Sequence, residues 1–118
     1  MTVTTLSAVI VYTTDVARSA EFYEKQLGLA RAYGDEHVIS LRTPNGVEVL
    51  LHSSDRVTPA RSSVGMTLRV DDVDATVEAL RAAGYEVVRE PADQDYGLRD
   101  AGVLDPDGHE LWLAKPIS

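Results

Sequence analysis

The sequence contains no cysteine, which excludes disulfide bonds, thiolate zinc sites and cysteine nucleophiles. This absence fits a reducing compartment, and no apolar run approaches the ~18 residues that a membrane-spanning helix needs. The first residues also lack the basic and apolar stretches of a signal peptide. Basic residues are scarce, 11 against 19 acidic ones, and the basic stripe of a nucleic-acid binder is missing. We therefore expect a cytoplasmic protein with neither nucleic acid nor a membrane as a partner.

The 118 residues suffice for one domain with its own core, and the sequence pattern occurs twice. A β-rich run that ends in a helix-capping aspartate is found at Ala8–Asp15 and again at Gly65–Asp72. After each run, residues of one helix face recur at spacings of four, three and four. Two turn sequences with Pro and Gly, Thr43–Gly46 and Asp105–Gly108, then predict one β-hairpin in each copy.

These patterns predict an α+β fold of two tandem βαβββ modules that form a curved, mixed-sheet cup with the helices on its outer face. We expect a single domain over 1–118, with module one at 1–53, a polar linker at 53–64 and module two at 65–118. Helices are predicted at 16–27 and 73–83. Strands are predicted at 8–13, 30–33, 37–42, 47–52, 65–71, 85–89, 100–105 and 109–114.

Alternation along the strands separates two faces of the predicted sheets. One face is aliphatic throughout, with residues such as Val49 and Leu113, and is the face that the helices should cover. The other mixes aromatic, charged and apolar side chains, a composition typical of ligand pockets. The residues of this face and of the loop predicted at 90–99 that we expect to bind a ligand are Tyr12, Glu48, Leu50, His52, Arg69, Tyr96, Arg99, Glu110 and Trp112.

Several of these side chains also have a purely structural explanation. Arg69 can close the sheet by pairing with Glu48 or Glu110. Trp112 either stacks on a planar ligand or fills the core. His52 is a candidate general base, because histidine is the side chain most often used for proton transfer, but no nucleophile or acid is placed beside it. We therefore favour a solvated histidine at a strand end.

The polar segment 90–99 (EPADQDYGLR) is the longest insertion in the second copy. Loops carry binding functions more often than the elements they connect. The segment is either a lid over the cup, with Tyr96 as its aromatic contact, or an ordinary surface loop. Arg99 accordingly contacts either a ligand or the acidic residues of its own loop.

The duplicated pattern resembles the vicinal oxygen chelate superfamily, which includes glyoxalase I, extradiol dioxygenases and bleomycin-resistance proteins. The resembling segments are Val11–Leu29, Leu68–Tyr85 and Tyr96–Leu113. The stretch Tyr96–Asp100 (YGLRD) is most similar to the bleomycin-resistance, antibiotic-binding branch. The resemblance implies a U-shaped ligand cup and a homodimer.

In the enzymes of this superfamily a divalent metal ion sits at the base of the cup. The resemblance places the ligand positions at Ala8, Leu50, Gly65 and Trp112 of this sequence. None of these residues has a side chain that binds a metal ion, which requires imidazole, carboxylate or thiolate. We therefore expect no metal and no other cofactor.

Three functions stay open at this point. The one we favour is a metal-free protein that binds a small aromatic or cationic, antibiotic-like molecule and acts by sequestration. The second is a glyoxalase- or dioxygenase-like lyase or isomerase, with either an unconventional metal site of Glu48, His52 and Glu110 or metal-free chemistry by His52 or Glu110. The third is a protein interaction module whose cup is a subunit contact.

Overall fold

The computed structural model describes residues 2–61 and 64–117. The chain divides into two compact units, Met1–Val57 and Thr58–Ser118. Each unit consists of one βαβββ module with a four-stranded mixed sheet. The predicted α+β class and the two tandem βαβββ modules are therefore confirmed. Neither helix in the described ranges has the length and apolar character that a membrane crossing requires.

The first unit forms a sheet with the strand order β1-β4-β3-β2, in which β1 and β4 are parallel and the other pairs are antiparallel. Helix α1 precedes β2 and continues into a π-helical segment. The bounds are β1 Ala8–Thr13, α1 Val16–Glu21, the π-helical segment Phe22–Gln26, β2 Ala30–Gly34, β3 Val38–Arg42 and β4 Glu48–Ser53.

The second unit repeats this topology with the strand order β5-β8-β7-β6, and β5 is parallel to β8. Its single helix, α2, follows β5 as α1 follows β1. The bounds are β5 Met66–Arg69, α2 Val73–Ala82, β6 Val87–Asp93, β7 Leu98–Leu104 and β8 Glu110–Pro116.

Local sequence signals account for the helix starts and the hairpins. The carboxylates of Asp15 and Asp72 each accept a backbone N–H from the first turn of α1 and α2, so both predicted N-caps are confirmed. Gly46 and Gly108 have φ angles of 88° and 87°, as the left-handed position of these turns requires. The same turn chemistry therefore closes both hairpins.

In each unit the helix covers the aliphatic face of its own sheet. The side chains of Leu51 in the first unit and of Leu111 and Leu113 in the second are at most 1% exposed. On α2, Val77 and Leu80 are fully buried. Each such side chain contributes roughly 1.5–3 kcal/mol by leaving water, so this face is the core of each unit and the opposite face of each sheet is left for other contacts.

The first helix differs from the prediction of one continuous α-helix over 16–27. The α-helical hydrogen bonds end at Glu21, and a π-helical turn continues through Gln26. Phe22 and Tyr23, predicted from the sequence to be packing residues, are fully buried and meet edge to face with ring centroids 5.0 Å apart. The extra residue of the π-helical turn is a local departure that the periodicity of the sequence does not reveal.

The segment 90–99 is not the loop that the sequence predicted. β6 continues to Asp93 and β7 begins at Leu98, so only the tight turn 94–97 lies between them. β6 is an edge strand, where a proline such as Pro91 is tolerated because one side needs no ladder partner. Register shifts between Val87 and Ala92 also break the strand alternation. The prediction was wrong because bulges and an edge proline conceal the strand.

Candidate functional site

An open cavity of about 320 Å³ lies on the second sheet, on the face that α2 leaves uncovered. Strand register brings its residues together: Thr67 on β5 is beside Trp112 on β8, and Asp100 on β7 is beside Ala114. The residues that line it are Thr67, Arg89, Tyr96, Leu98, Asp100, Trp112 and Ala114. The cavity thus combines apolar walls with a few convergent polar groups, as small-molecule sites do.

Arg89 and Trp112 form a stacked pair in this cavity. The guanidinium carbon of Arg89 lies 3.8 Å from the centroid of the Trp112 ring, well within the range of a cation–π interaction. Gly102 on β7 is the register partner of Arg89 on one side and of Trp112 on the other. Because Gly102 has no side chain, the long side chain of Arg89 can cross β7 and reach the indole.

Asp100 fixes this pair from below the cavity surface. Asp100 is buried, with 5% of its surface exposed. Its Oδ1 accepts hydrogen bonds from Nη2 of Arg89 at 2.9 Å and from Nε2 of Gln94 at 3.1 Å. Its Oδ2 accepts the phenol hydrogen of Tyr96 at 2.6 Å. The buried carboxylate therefore has partners on both oxygens, which a buried charge needs to be tolerated, and it holds Arg89 in place.

The hydrogen bond to Asp100 raises the pKa of the Tyr96 phenol, with desolvation as a smaller cause in the same direction. An unfolded tyrosine ionises near a pKa of about 10. Because the pKa in the folded state is higher, this contact stabilises the fold below about pH 10 and loses its contribution as the pH rises through the folded-state pKa.

We expect Tyr96→Phe to remove that pH dependence. The difference in free energy of unfolding between wild type and Tyr96→Phe should be constant near neutral pH and shrink above about pH 10. Urea unfolding at a series of alkaline pH values measures this difference, with Tyr33→Phe as the matched control because Tyr33 is an exposed tyrosine outside the cavity. A difference that does not change with alkaline pH would show that the Tyr96–Asp100 contact is not made.

The first unit brings four of the predicted site residues together on the uncovered face of its own sheet. Tyr12 and His52 are register partners on β1 and β4, and their ring centroids are 5.6 Å apart. Leu50 and Glu48 precede His52 on the same face, half-buried. The Ser40 hydroxyl donates a hydrogen bond to the Glu48 carboxylate, so this glutamate is held by β3.

Five predicted site residues lie in the second unit, and only Tyr96 and Trp112 line its cavity. Arg69 is exposed on β5, and within residues 58–61 and 64–117 of the second unit no ion pair joins it to Glu110. The carboxylate of Glu110 instead lies 3.8 Å from the Arg61 guanidinium. The Arg69–Glu110 ion pair considered from the sequence is therefore not formed.

Arg99 lies on the opposite face of β7 from Asp100, towards α2. Its guanidinium donates two hydrogen bonds to the Asp74 carboxylate, at 2.7 and 2.8 Å, and one to Asp93 at 3.1 Å. The contact with Asp93 is the one expected if Arg99 pairs with the acidic residues of its own segment and not with a ligand. The hydrogen bond from Arg99 lowers the pKa of the Asp74 carboxyl. This arginine thus joins β7 to the helix, and it does not line the cavity.

Sequence reasoning missed two charged residues at the centre of the cavity, Arg89 and Asp100. A signal for both existed: Gly102 interrupts an otherwise bulky strand, and a glycine inside a strand often marks close approach of another group. Arg89 is assigned to the cavity face only when the bulges of β6 are known. Thr67 and Ala114 follow from strand alternation along β5 and β8, and Leu98 follows once the bounds of β7 are correct.

The residues at the metal-ligand positions implied by the resemblance do not fit a metal ion. In the first unit these are Ala8 and Leu50, which are aliphatic. In the second, a Cβ at Gly65 would lie 3.7 Å from Cδ1 of Trp112, so two lost positions are adjacent and the indole covers the glycine. Across residues 2–61 and 64–117, no group of three His, Cys, Asp or Glu side chains is arranged to hold a metal ion.

Solved structures with the same fold come from several bacteria. A glyoxalase-related enzyme from Fulvimarina pelagi is 24% identical, with a TM-score of 0.80 over 95% of this chain and 88% of that one. A glyoxalase/dioxygenase from Nostoc punctiforme is 17% identical, with a TM-score of 0.82 over 97% and 92%. TioX from Micromonospora sp. ML1 is 21% identical, with a TM-score of 0.73 over 97% and 100%.

Curated proteins give no match to this sequence. The sequence model of one superfamily matches residues 5–113 of the chain, a range that includes both βαβββ modules. The chain therefore belongs to the Glyoxalase/Bleomycin resistance protein/Dioxygenase superfamily.

Proposed function

We propose that this protein binds a small planar aromatic molecule and acts by holding it, without metal chemistry. The observation that carries the proposal is the Arg89–Trp112 stack, with 3.8 Å between guanidinium carbon and ring centroid, in an open cavity of about 320 Å³. A volume of this size falls at the lower end of the range typical of ligand sites. A flat guanidinium backed by an indole is a preformed platform for another flat group.

The surroundings of the platform support a binding role. Leu98 and Ala114 supply apolar wall, while Thr67 and Tyr96 place hydroxyl groups at the cavity. Asp100 already fixes the guanidinium, so little rotamer entropy is lost when a ligand arrives. An apolar wall with a fixed polar group favours orientation and retention of a ligand, and a protein that acts by sequestration requires nothing more.

Trp112 is the only tryptophan of the chain and lines this cavity, so tryptophan fluorescence reports on it. We expect titration with a panel of planar antibiotic-like compounds to give saturable quenching by at least one compound, with an affinity in the micromolar range or tighter. A matched titration of Arg89→Gln should show weaker binding of that compound. A Trp112 signal that no compound changes would contradict the proposal and favour an interaction module.

The enzyme alternative is supported by the structurally similar proteins, which include a glyoxalase-related enzyme and a glyoxalase/dioxygenase. The paired rings of Tyr12 and His52 in the first unit are the groups that acid–base chemistry would use. Metal analysis of the purified protein separates these functions. One tightly held equivalent of nickel, zinc, manganese or iron would overturn the metal-free proposal, whereas trace amounts below stoichiometry agree with it.

We also propose that the ligand is antibiotic-like, that the protein is a homodimer and that it works in the cytoplasm. Support comes from the resemblance of Tyr96–Asp100 to the antibiotic-binding branch and from the lack of cysteine. Sedimentation equilibrium tests the assembly, and a monomer at micromolar concentration would contradict it. Expression in a sensitive host tests resistance, where an unchanged inhibitory concentration of the compound that quenches Trp112 would contradict sequestration.

A further inference from the structure

We propose that the ligand of the cavity is a planar aromatic anion, of which an aromatic carboxylate is the simplest kind. This inference rests on the proposed binding function and specifies its ligand. It replaces the aromatic or cationic ligand expected from the sequence with the anionic one, because the charged groups at the cavity differ from those that the sequence indicated.

The cavity has little to offer a cation. Among its lining residues in the described ranges, Arg89 and Asp100 are the charged ones. The side chain of Asp100 is 7% exposed, and its two oxygens accept hydrogen bonds from Arg89, Gln94 and Tyr96. A cationic ligand would have to displace these donors to reach the carboxylate. Glu110, the acidic residue predicted to meet a positive charge, does not line the cavity.

Arg89 presents donors to the cavity instead. Its side chain is 45% exposed although its guanidinium is stacked and hydrogen-bonded. The contact with Asp100 uses Nη2, and the guanidinium also faces the Tyr96 hydroxyl. A guanidinium carries five N–H donors in a planar fork that matches a carboxylate. An aromatic carboxylate can therefore pair with the fork while its ring lies against the apolar wall.

The net charge of −8 acts against an anion, so the local interaction must exceed this repulsion. Charges more than about 8 Å away are largely screened at physiological ionic strength, whereas a contact pair is screened far less. The Asp100 charge is paired with one edge of the Arg89 guanidinium and accepts two further hydrogen bonds, from Gln94 and Tyr96. The charged hydrogen-bond donors that line the cavity are thus the N–H groups of Arg89, and they favour a ligand of negative charge.

The test is calorimetric titration of three compounds that share one ring system and differ in charge: 2-naphthoate, 2-naphthalenemethanol and 2-naphthylmethylammonium. We expect 2-naphthoate to bind roughly tenfold tighter than the alcohol, and the ammonium compound to bind most weakly, because a charge-assisted pair adds about one power of ten. Arg89→Gln should lower the affinity for 2-naphthoate about tenfold more than it lowers the affinity for the alcohol, because only the carboxylate loses a charge-assisted pair. Arg81→Gln is the matched control, since it removes an arginine at the C-terminal end of α2.

The outcomes separate this inference from the function beneath it. Equal affinity of the three compounds, or preference for the ammonium compound, overturns the anion inference and leaves a binding protein. Failure of all three to bind overturns both. An Arg89→Gln protein that binds 2-naphthoate as tightly as Arg81→Gln does, with a cooperative thermal unfolding transition, also overturns the assignment of the anion to Arg89.

Discussion

Replacement of Asp100 by alanine is expected to lower the free energy of unfolding by about 2–3 kcal/mol and to abolish ligand binding. The carboxylate accepts three hydrogen bonds at a site that is 5% exposed, and bonds to a charged group are individually worth about 1.5–3 kcal/mol. The expected loss of stability is smaller than the sum of the three hydrogen bonds, because Arg89 and Tyr96 are partly exposed. In the variant these two side chains form hydrogen bonds with water instead. The binding loss follows because Arg89 is no longer fixed.

Urea unfolding of Asp100→Ala, compared with Asp95→Ala, measures this effect. Asp95 is an exposed aspartate in the turn between β6 and β7, so its removal changes the net charge equally without touching the cluster. Asp95→Ala should lie within about 0.5 kcal/mol of wild type, as most surface substitutions do. A loss at Asp100 no larger than that of Asp95 would mean that the three hydrogen bonds contribute nothing net.

The second large effect concerns Trp112. Substitution by leucine should weaken binding of a planar ligand at least tenfold, because the platform loses both its aromatic surface and the cation–π contact that orients Arg89. Leucine keeps an apolar residue of the strand face, so the sheet itself should fold. Calorimetry is the measurement, since this variant has lost the only tryptophan of the chain.

Tyr33→Leu is the control for this experiment, because Tyr33 is an exposed aromatic residue of the first unit. Its affinity for the same compound should equal that of wild type. If Trp112→Leu binds as tightly as Tyr33→Leu, the indole is a packing residue and the stack is not the ligand platform. If the two residues act independently, the double substitution of Arg89 and Trp112 should lose the sum of the single effects, whereas a shared platform gives a double loss clearly smaller than that sum.

The fold could be predicted from the sequence because short-range chemistry determines it twice. An aspartate cap at Asp15 and at Asp72 starts each helix, and the Pro-Asn-Gly and Pro-Asp-Gly turns close each hairpin. Two copies of the same order of signals leave few topologies. The structure differs from the sequence prediction at two places, the π-helical turn after Glu21 and the bulged edge strand β6. At both places the backbone geometry depends on more than the local sequence pattern.

The site could be predicted only in part, for a related reason. Strand alternation places Trp112 on the uncovered face, and the sequence indicates Tyr96 as the aromatic contact of its segment. Arg89 and Asp100 depend on contacts across three strands, through Gly102, which alternation along one strand cannot supply. The sequence therefore indicates which face binds, while the sign of the charge that a ligand meets emerges only from the hydrogen bonds that neutralise Asp100.

The most direct test of a ligand site built on the Arg89–Trp112 stack is a crystal structure of the protein with 2-naphthoate. We expect the naphthalene ring in the cavity of the second unit, in contact with Trp112 or Tyr96, and the carboxylate within hydrogen-bonding distance of the Arg89 guanidinium. A compound bound elsewhere with the stack vacant, or an ion ligated by side chains in that cavity, would contradict the assignment.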